Sequence, residues 1–122
     1  MIVSTGIDIL EISRFDGVRP ALLDRFLARV YTPGELSEAG GSQETWAGLF
    51  AAKEAVSKAL GTGIGPVAWR DIEIRNGPAG EPHLTLHGKA DTIARQKGLS
   101  YWSVSISHSR THAVAVAVAL GE

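Results

Sequence analysis

Ser103-Val104-Ser105-Ile106-Ser107 and, after a polar stretch from His108 to His112, Ala113-Val114-Ala115-Val116-Ala117-Val118-Ala119-Leu120 are two runs with a period of two near the end of the chain. That period sends successive side chains to opposite faces, so each run reads as a strand, and the short polar connection makes the pair an antiparallel hairpin. The second run sets Val114, Val116, Val118 and Leu120 on one face and alanines on the other, with no polar residue on either. A strand apolar on both faces needs a cover on both. In a chain of 122 residues a second subunit is one expected cover.

Alternation recurs from Trp69 to Arg75 and from His83 to His87, either side of the turn cluster Asn76-Gly77-Pro78-Ala79-Gly80. Residues Ile2 to Ile12 make a further strand, with Ile7 and Ile9 on one face and Asp8, Leu10 and Ile12 on the other. Helical spacing runs from Pro20 to Val30, through a short helix opened by Thr32-Pro33 and ended at Gly40-Gly41-Ser42, and again from Lys89 to Lys97, closed by Gly98. The order is strand, helices, two strands, helix, two strands. With hairpins this prominent, an α+β fold with antiparallel sheet and packed helices is expected over a doubly wound parallel sheet, as a single domain over residues 1–122.

The helix after Ser42 holds the chemistry. Phe50-Ala-Ala-Lys53-Glu54-Ala-Val-Ser-Lys58-Ala-Leu-Gly61-Thr62-Gly63 is built from strong helix formers and stops at glycines. Trp46, Leu49, Ala52, Val56, Ala59 and Leu60 form its apolar stripe, while Glu54 and Lys58, four residues apart, share a face off that stripe. Such a pair is either a surface ion pair or a carboxylate for a hard cation beside an ammonium for a phosphate. Asp8 is a carboxylate among Ile7, Ile9 and Leu10; it caps a turn, pairs with an arginine or helps to hold a cation. The hairpin tip Ser107-His108-Ser109-Arg110-Thr111-His112 gathers hydroxyls, imidazoles and a guanidinium, a donor set that suits phosphate and also an ordinary polar turn.

Composition closes off several classes. Twelve basic against thirteen acidic side chains give no global field for nucleic acid or an anionic membrane. No cysteine means no disulfide and no thiolate metal site. The N-terminus shows neither a basic leader nor a long apolar run, so the cytoplasm is the expected compartment. The glycines after the helix are no Walker loop, and no G-x-S-x-G nucleophile elbow occurs.

Taken together, Gly6-Ile7-Asp8-Ile9-Leu10-Glu11-Ile12, the Phe50 to Gly63 segment and Ser105-Ile106-Ser107-His108-Ser109 resemble the phosphopantetheinyl transferases, the short holo-acyl-carrier-protein synthase branch in particular. Arg25 to Leu36 is similar to that branch's segment after the first strand. The resemblance implies transfer of 4'-phosphopantetheine from coenzyme A to a serine of an apo acyl carrier protein, with adenosine 3',5'-bisphosphate leaving. It implies that Asp8 and Glu54 hold magnesium against the pyrophosphate and that Lys58 contacts the phosphates. Gly61, Thr62 and Gly63, with Ser107, His108 and Ser109, are implied to hold the adenosine bisphosphate. Arg14 and Arg25 are implied to dock the acidic carrier protein, and the assembly to be a homotrimer with sites between subunits. The proton acceptor for the serine stays open between a metal-bound water and a carboxylate. One departure is Leu49, where an arginine is usual, so a cationic contact is missing. The alternatives are a catalytically silent binding module for coenzyme A or the carrier protein, and an unrelated magnesium-dependent phosphohydrolase.

Overall fold

The computed structural model describes residues 1–122. The chain runs β1 (Ile2–Glu11), a 3-10 turn (Ile12–Phe15), α1 (Pro20–Val30), α2 (Pro33–Ala39), α3 (Gln43–Leu60), a 3-10 turn (Trp69–Asp71), β2 (Ile72–Asn76), β3 (Pro82–Leu86), α4 (Gly88–Gln96), β4 (Tyr101–His108) and β5 (His112–Gly121). The antiparallel strands fall into two sheets, β1-β5-β4 and β2-β3. Register puts Asp8 opposite Ala115, and Ala115 opposite Ile106, in one row across the larger sheet.

Local chemistry accounts for most boundaries. Pro33 starts α2 behind a capping box in which the Glu35 N–H donates to Thr32 Oγ1 at 3.2 Å and the Thr32 N–H to Glu35 Oε1 at 2.8 Å. Gly40 ends α2 at φ 59°. Two boundaries differ from the sequence expectation. The strand expected from Trp69 begins only at Ile72, because Asp71 Oδ2 accepts the Ala68 N–H at 3.2 Å and curls the backbone into a turn. The terminal hairpin is longer than its apolar runs, His108 pairing with Ala113, so the turn shrinks to three residues, Ser109 to Thr111.

Helix α3 lies on the inner face of the three-stranded sheet. Ala113, Ala115, Ala117 and Ala119 are all buried, as are Gly48, Ala51, Ala52, Ala55 and Ala59 of the helix. Small residues on both sides bring the two backbones together. A Cβ on Gly6 would collide with the Ala55 carbonyl, and one on Gly48 would stand 2.9 Å from Ile106 Cγ2. The helix is therefore buried over almost its whole girth, wider than the expected stripe, and from Trp46 to Leu60 only Phe50, Glu54 and Lys58 reach solvent, one turn apart. The outer face of the sheet is bare: Val3, Ile7, Ile9 and Tyr101 are 59%, 60%, 63% and 61% exposed.

Candidate active site

The exposed ridge of α3 meets β1. Lys58 Nζ donates to the Ile7 carbonyl at 2.9 Å and to Asp8 Oδ1 at 3.2 Å, joining residues 50 apart in sequence. Asp8 points inward because Gly6, Asp8 and Leu10 share the face toward α3, and Gly6 lets the helix come close enough for Lys58 to reach across. Glu54, one turn back, is half-buried. Burial pushes its carboxyl above the ordinary glutamate range, the neighbouring Asp8 carboxylate pushes the same way, and Lys58 and Arg14 pull against both. Asp8, Glu54, Lys58 and Arg14 thus form one electrostatic cluster.

A carboxyl whose ionisation is opposed by burial and by a neighbouring carboxylate suits a divalent cation, which removes that cost. No third His, Asp or Glu joins them, since the chain has no group of three such side chains able to hold a metal. A set of two protein carboxylates, with the remaining positions left to phosphate oxygens and water, is the usual magnesium arrangement.

Arg14 comes from the 3-10 turn after β1 and lies over the Phe50 ring at 5.9 Å, while Phe50 packs on Trp69 with ring centroids 4.6 Å apart. These three border an apolar groove of about 380 Å³ closed by Leu10, Leu22, Leu23 and Phe26. Arg25 stands exposed on α1 between Leu22 and Phe26, two of the residues that line it.

The hairpin tip lies elsewhere. Ser107 is opposite Val114, which is opposite Ile9, so within one chain two inter-strand steps, about 10 Å, separate β4 from β1. Ser107 is exposed, and Ser109 Oγ accepts the N–H groups of Thr111 at 3.3 Å and His112 at 3.2 Å, closing the turn. His108 instead lines a second groove, of about 230 Å³, with Thr45, Leu49, Asn76, Gly80 and Pro82. Sequence reading treated Asn76 to Gly80 as a turn only and missed this groove, because no local spacing links that turn to His108. The Gly61, Thr62 and Gly63 N–H groups all donate back into α3, to Lys58 O or Ser57 O, so this turn offers a ligand close approach and no free backbone donor.

Lys53 takes no part in this surface. It is fully buried, 2.8 Å from the fully buried Glu35.

A family model of the 4'-phosphopantetheinyl transferase superfamily matches residues 4–118. The holo-[acyl-carrier-protein] synthase of Solidesulfovibrio magneticus is 49% identical, covering 99% of this chain and 100% of its own length. Among solved structures, Helicobacter pylori holo-[acyl-carrier-protein] synthase in complex with coenzyme A is 35% identical with a TM-score of 0.85, over 95% of this chain and 99% of that one. The Bacillus anthracis holo-(acyl-carrier-protein) synthase in complex with CoA (3',5'-ADP) is 41% identical with a TM-score of 0.79, over 100% and 99%. With the match running over nearly the whole length of the chain and of its relatives, the chain belongs to the holo-acyl-carrier-protein synthase family of the 4'-phosphopantetheinyl transferases.

Proposed function

We propose that this chain is a cytoplasmic enzyme that transfers 4'-phosphopantetheine from coenzyme A to a serine of an apo acyl carrier protein. The serine oxygen bonds to the β-phosphorus, the bond from that phosphorus to the bridging oxygen breaks, and adenosine 3',5'-bisphosphate leaves while the serine proton passes to a base. The observation that carries this reading is the Asp8–Lys58 contact with Glu54 one turn away. Asp8 and Glu54 would hold magnesium, which when bound neutralises charge on the pyrophosphate. Lys58 keeps one ammonium proton beyond those given to Ile7 and Asp8, and it directs that proton at a phosphate oxygen of the leaving group.

Arg14 and Arg25 flank the apolar groove and meet the acidic face of the carrier protein, whose apolar side chains the groove accommodates. The groove opens beside Glu54, so a serine presented there arrives next to the carboxylates. Ser107, His108 and Ser109, remote from Asp8 in their own chain, hold adenosine bisphosphate at a neighbour's carboxylates within a homotrimer. The bare outer face of the β1-β5-β4 sheet, with Ile7 and Ile9 more than half exposed, supports that assembly.

The test is incubation with coenzyme A, magnesium and apo carrier protein, read by mass for a phosphopantetheine adduct on serine. Glu54→Gln is expected to abolish adduct formation with the fold intact. Undiminished turnover of this variant at saturating magnesium would refute the metal role. Retained coenzyme A binding with no adduct on any carrier would leave the silent binder, and release of free phosphate would favour a hydrolase.

A further inference from the structure

The last four carbonyls of an α-helix have no partner inside the helix. At the end of α3 all four are nevertheless satisfied. Ser57 O accepts the N–H groups of Thr62 and Gly63, both at 3.2 Å, and Lys58 O accepts that of Gly61 at 2.9 Å. Ala59 O and Leu60 O take side chains from remote elements: Ser4 Oγ of β1 and Lys97 Nζ from the end of α4, each at 2.5 Å. Gly61, at φ 82°, makes room for the lysine head, since a Cβ there would stand 2.8 Å from Nζ.

Phosphates held by Lys58, as proposed above, lie within a turn of this helix end, and that poses an electrostatic problem. The Gly61 to Gly63 turn is the C-terminal end of an 18-residue helix, which carries roughly half a negative charge and repels an anion. An anionic ligand seated there needs a local positive charge, and the turn's own N–H groups are already used. Lys58 is tied on the β1 side to Ile7 and Asp8. Lys97 is the cation bonded directly to the helix end, and two of its ammonium protons remain after the Leu60 bond.

We propose that Lys97 is a positioning residue for the coenzyme A phosphates: it locks the end of α3 and cancels the negative pole of that helix where the ligand approaches. The inference rests on the coenzyme A reading above, and it adds to the site a residue from α4 that no motif contains.

Coenzyme A affinity, measured by calorimetry in the full chain, tests it. Lys97→Met is expected to weaken binding about two- to fivefold, the range of a charge at a helix terminus, with the gap narrowing as salt is raised. In the transfer assay KM for coenzyme A rises by a similar factor, while kcat and KM for the carrier protein stay within about twofold. Lys97→Arg keeps charge and donor and restores affinity. Ser4→Ala removes the uncharged donor beside it, so it lowers thermal stability and leaves coenzyme A affinity unchanged. Wild-type affinity in Lys97→Met, an equal loss in Ser4→Ala, or no recovery in Lys97→Arg would each overturn the proposal. A wild type that binds coenzyme A and transfers nothing would sink the enzymatic reading only, and the lysine is then still judged by the affinities. A wild type that binds no coenzyme A would sink both.

Discussion

Lys53 donates all three ammonium protons, to Glu35 Oε1 at 2.8 Å, Ile72 O at 2.6 Å and Trp69 O at 3.2 Å. Glu35 answers on the other side by accepting the N–H groups of Thr32 and Ile74, both at 2.8 Å. Burial lowers the Lys53 pKa, and the Glu35 charge opposes that, so the pair persists as a hydrogen-bonded knot that ties α2, α3 and β2 together. Lys53→Met leaves a buried carboxylate without its counterion and is expected to cost about 3–5 kcal/mol in denaturant unfolding. A loss under about 1 kcal/mol would show that the site relaxes around the change. Glu73 gives the pH dependence. Its carboxylate accepts from Thr32 Oγ1 at 2.7 Å and pairs with His87 Nε2 at 3.0 Å, and these bonds, Thr32 first, hold its pKa below the ordinary glutamate value. A depressed carboxyl contributes stability above its unfolded pKa and loses it as pH falls through the folded one. Glu73→Gln is therefore expected to lower the thermal midpoint at neutral pH, with the difference from wild type closing between about pH 5 and 3. A constant difference across that range would rule the linkage out.

Between elements, the decisive distance is that from α3 to the sheet. Gly6 on β1, Gly48 on α3 and the alanine face of β5 remove the side chains that would hold the two layers apart, and Lys58 then spans from helix to strand. Along α3 the division is sharp, because Lys53 is turned about 100° from Glu54 and so faces β2 and α2 while Glu54 faces β1. Helix α1 works differently. Val30 is its one fully buried residue, so its exposed side is free for a partner. Arg25→Glu is expected to raise KM for the carrier protein about tenfold and to leave coenzyme A affinity unchanged, as one charge reversal in a steered encounter does. Equal losses in the two measurements would remove α1 from the docking surface. Arg25 is a cleaner probe than Arg14, whose guanidinium also lies over Phe50 and acts on Glu54.

At the scale of the whole molecule, the outer face of the β1-β5-β4 sheet and the distant hairpin tip pose one question, since a single chain neither covers Ile7 and Ile9 nor brings His108 to Asp8. Ile9→Glu places a charge in the middle of that face. It is expected to convert the proposed homotrimer to monomers in sedimentation velocity and to lose most transfer activity, whereas a monomeric wild type would remove the proposed intersubunit site. Much of this was already legible in single residues. The period of two in β5, the N-cap and proline at Thr32-Pro33 and the four-residue spacing of Glu54 and Lys58 are local patterns, set by backbone geometry and side-chain type within a few residues, and the sequence by itself determined them. The burial of Lys53 was not legible, because its partner Glu35 lies 18 residues back on another helix. Nor was the groove at His108, whose walls come from α3, the β2–β3 turn and β4. The meeting of Asp8 with Lys58, the far position of Ser107 to Ser109 and the capping of α3 by Lys97 were decided by tertiary structure alone. Each depends on how closely two layers pack, and that distance is a property of the whole core.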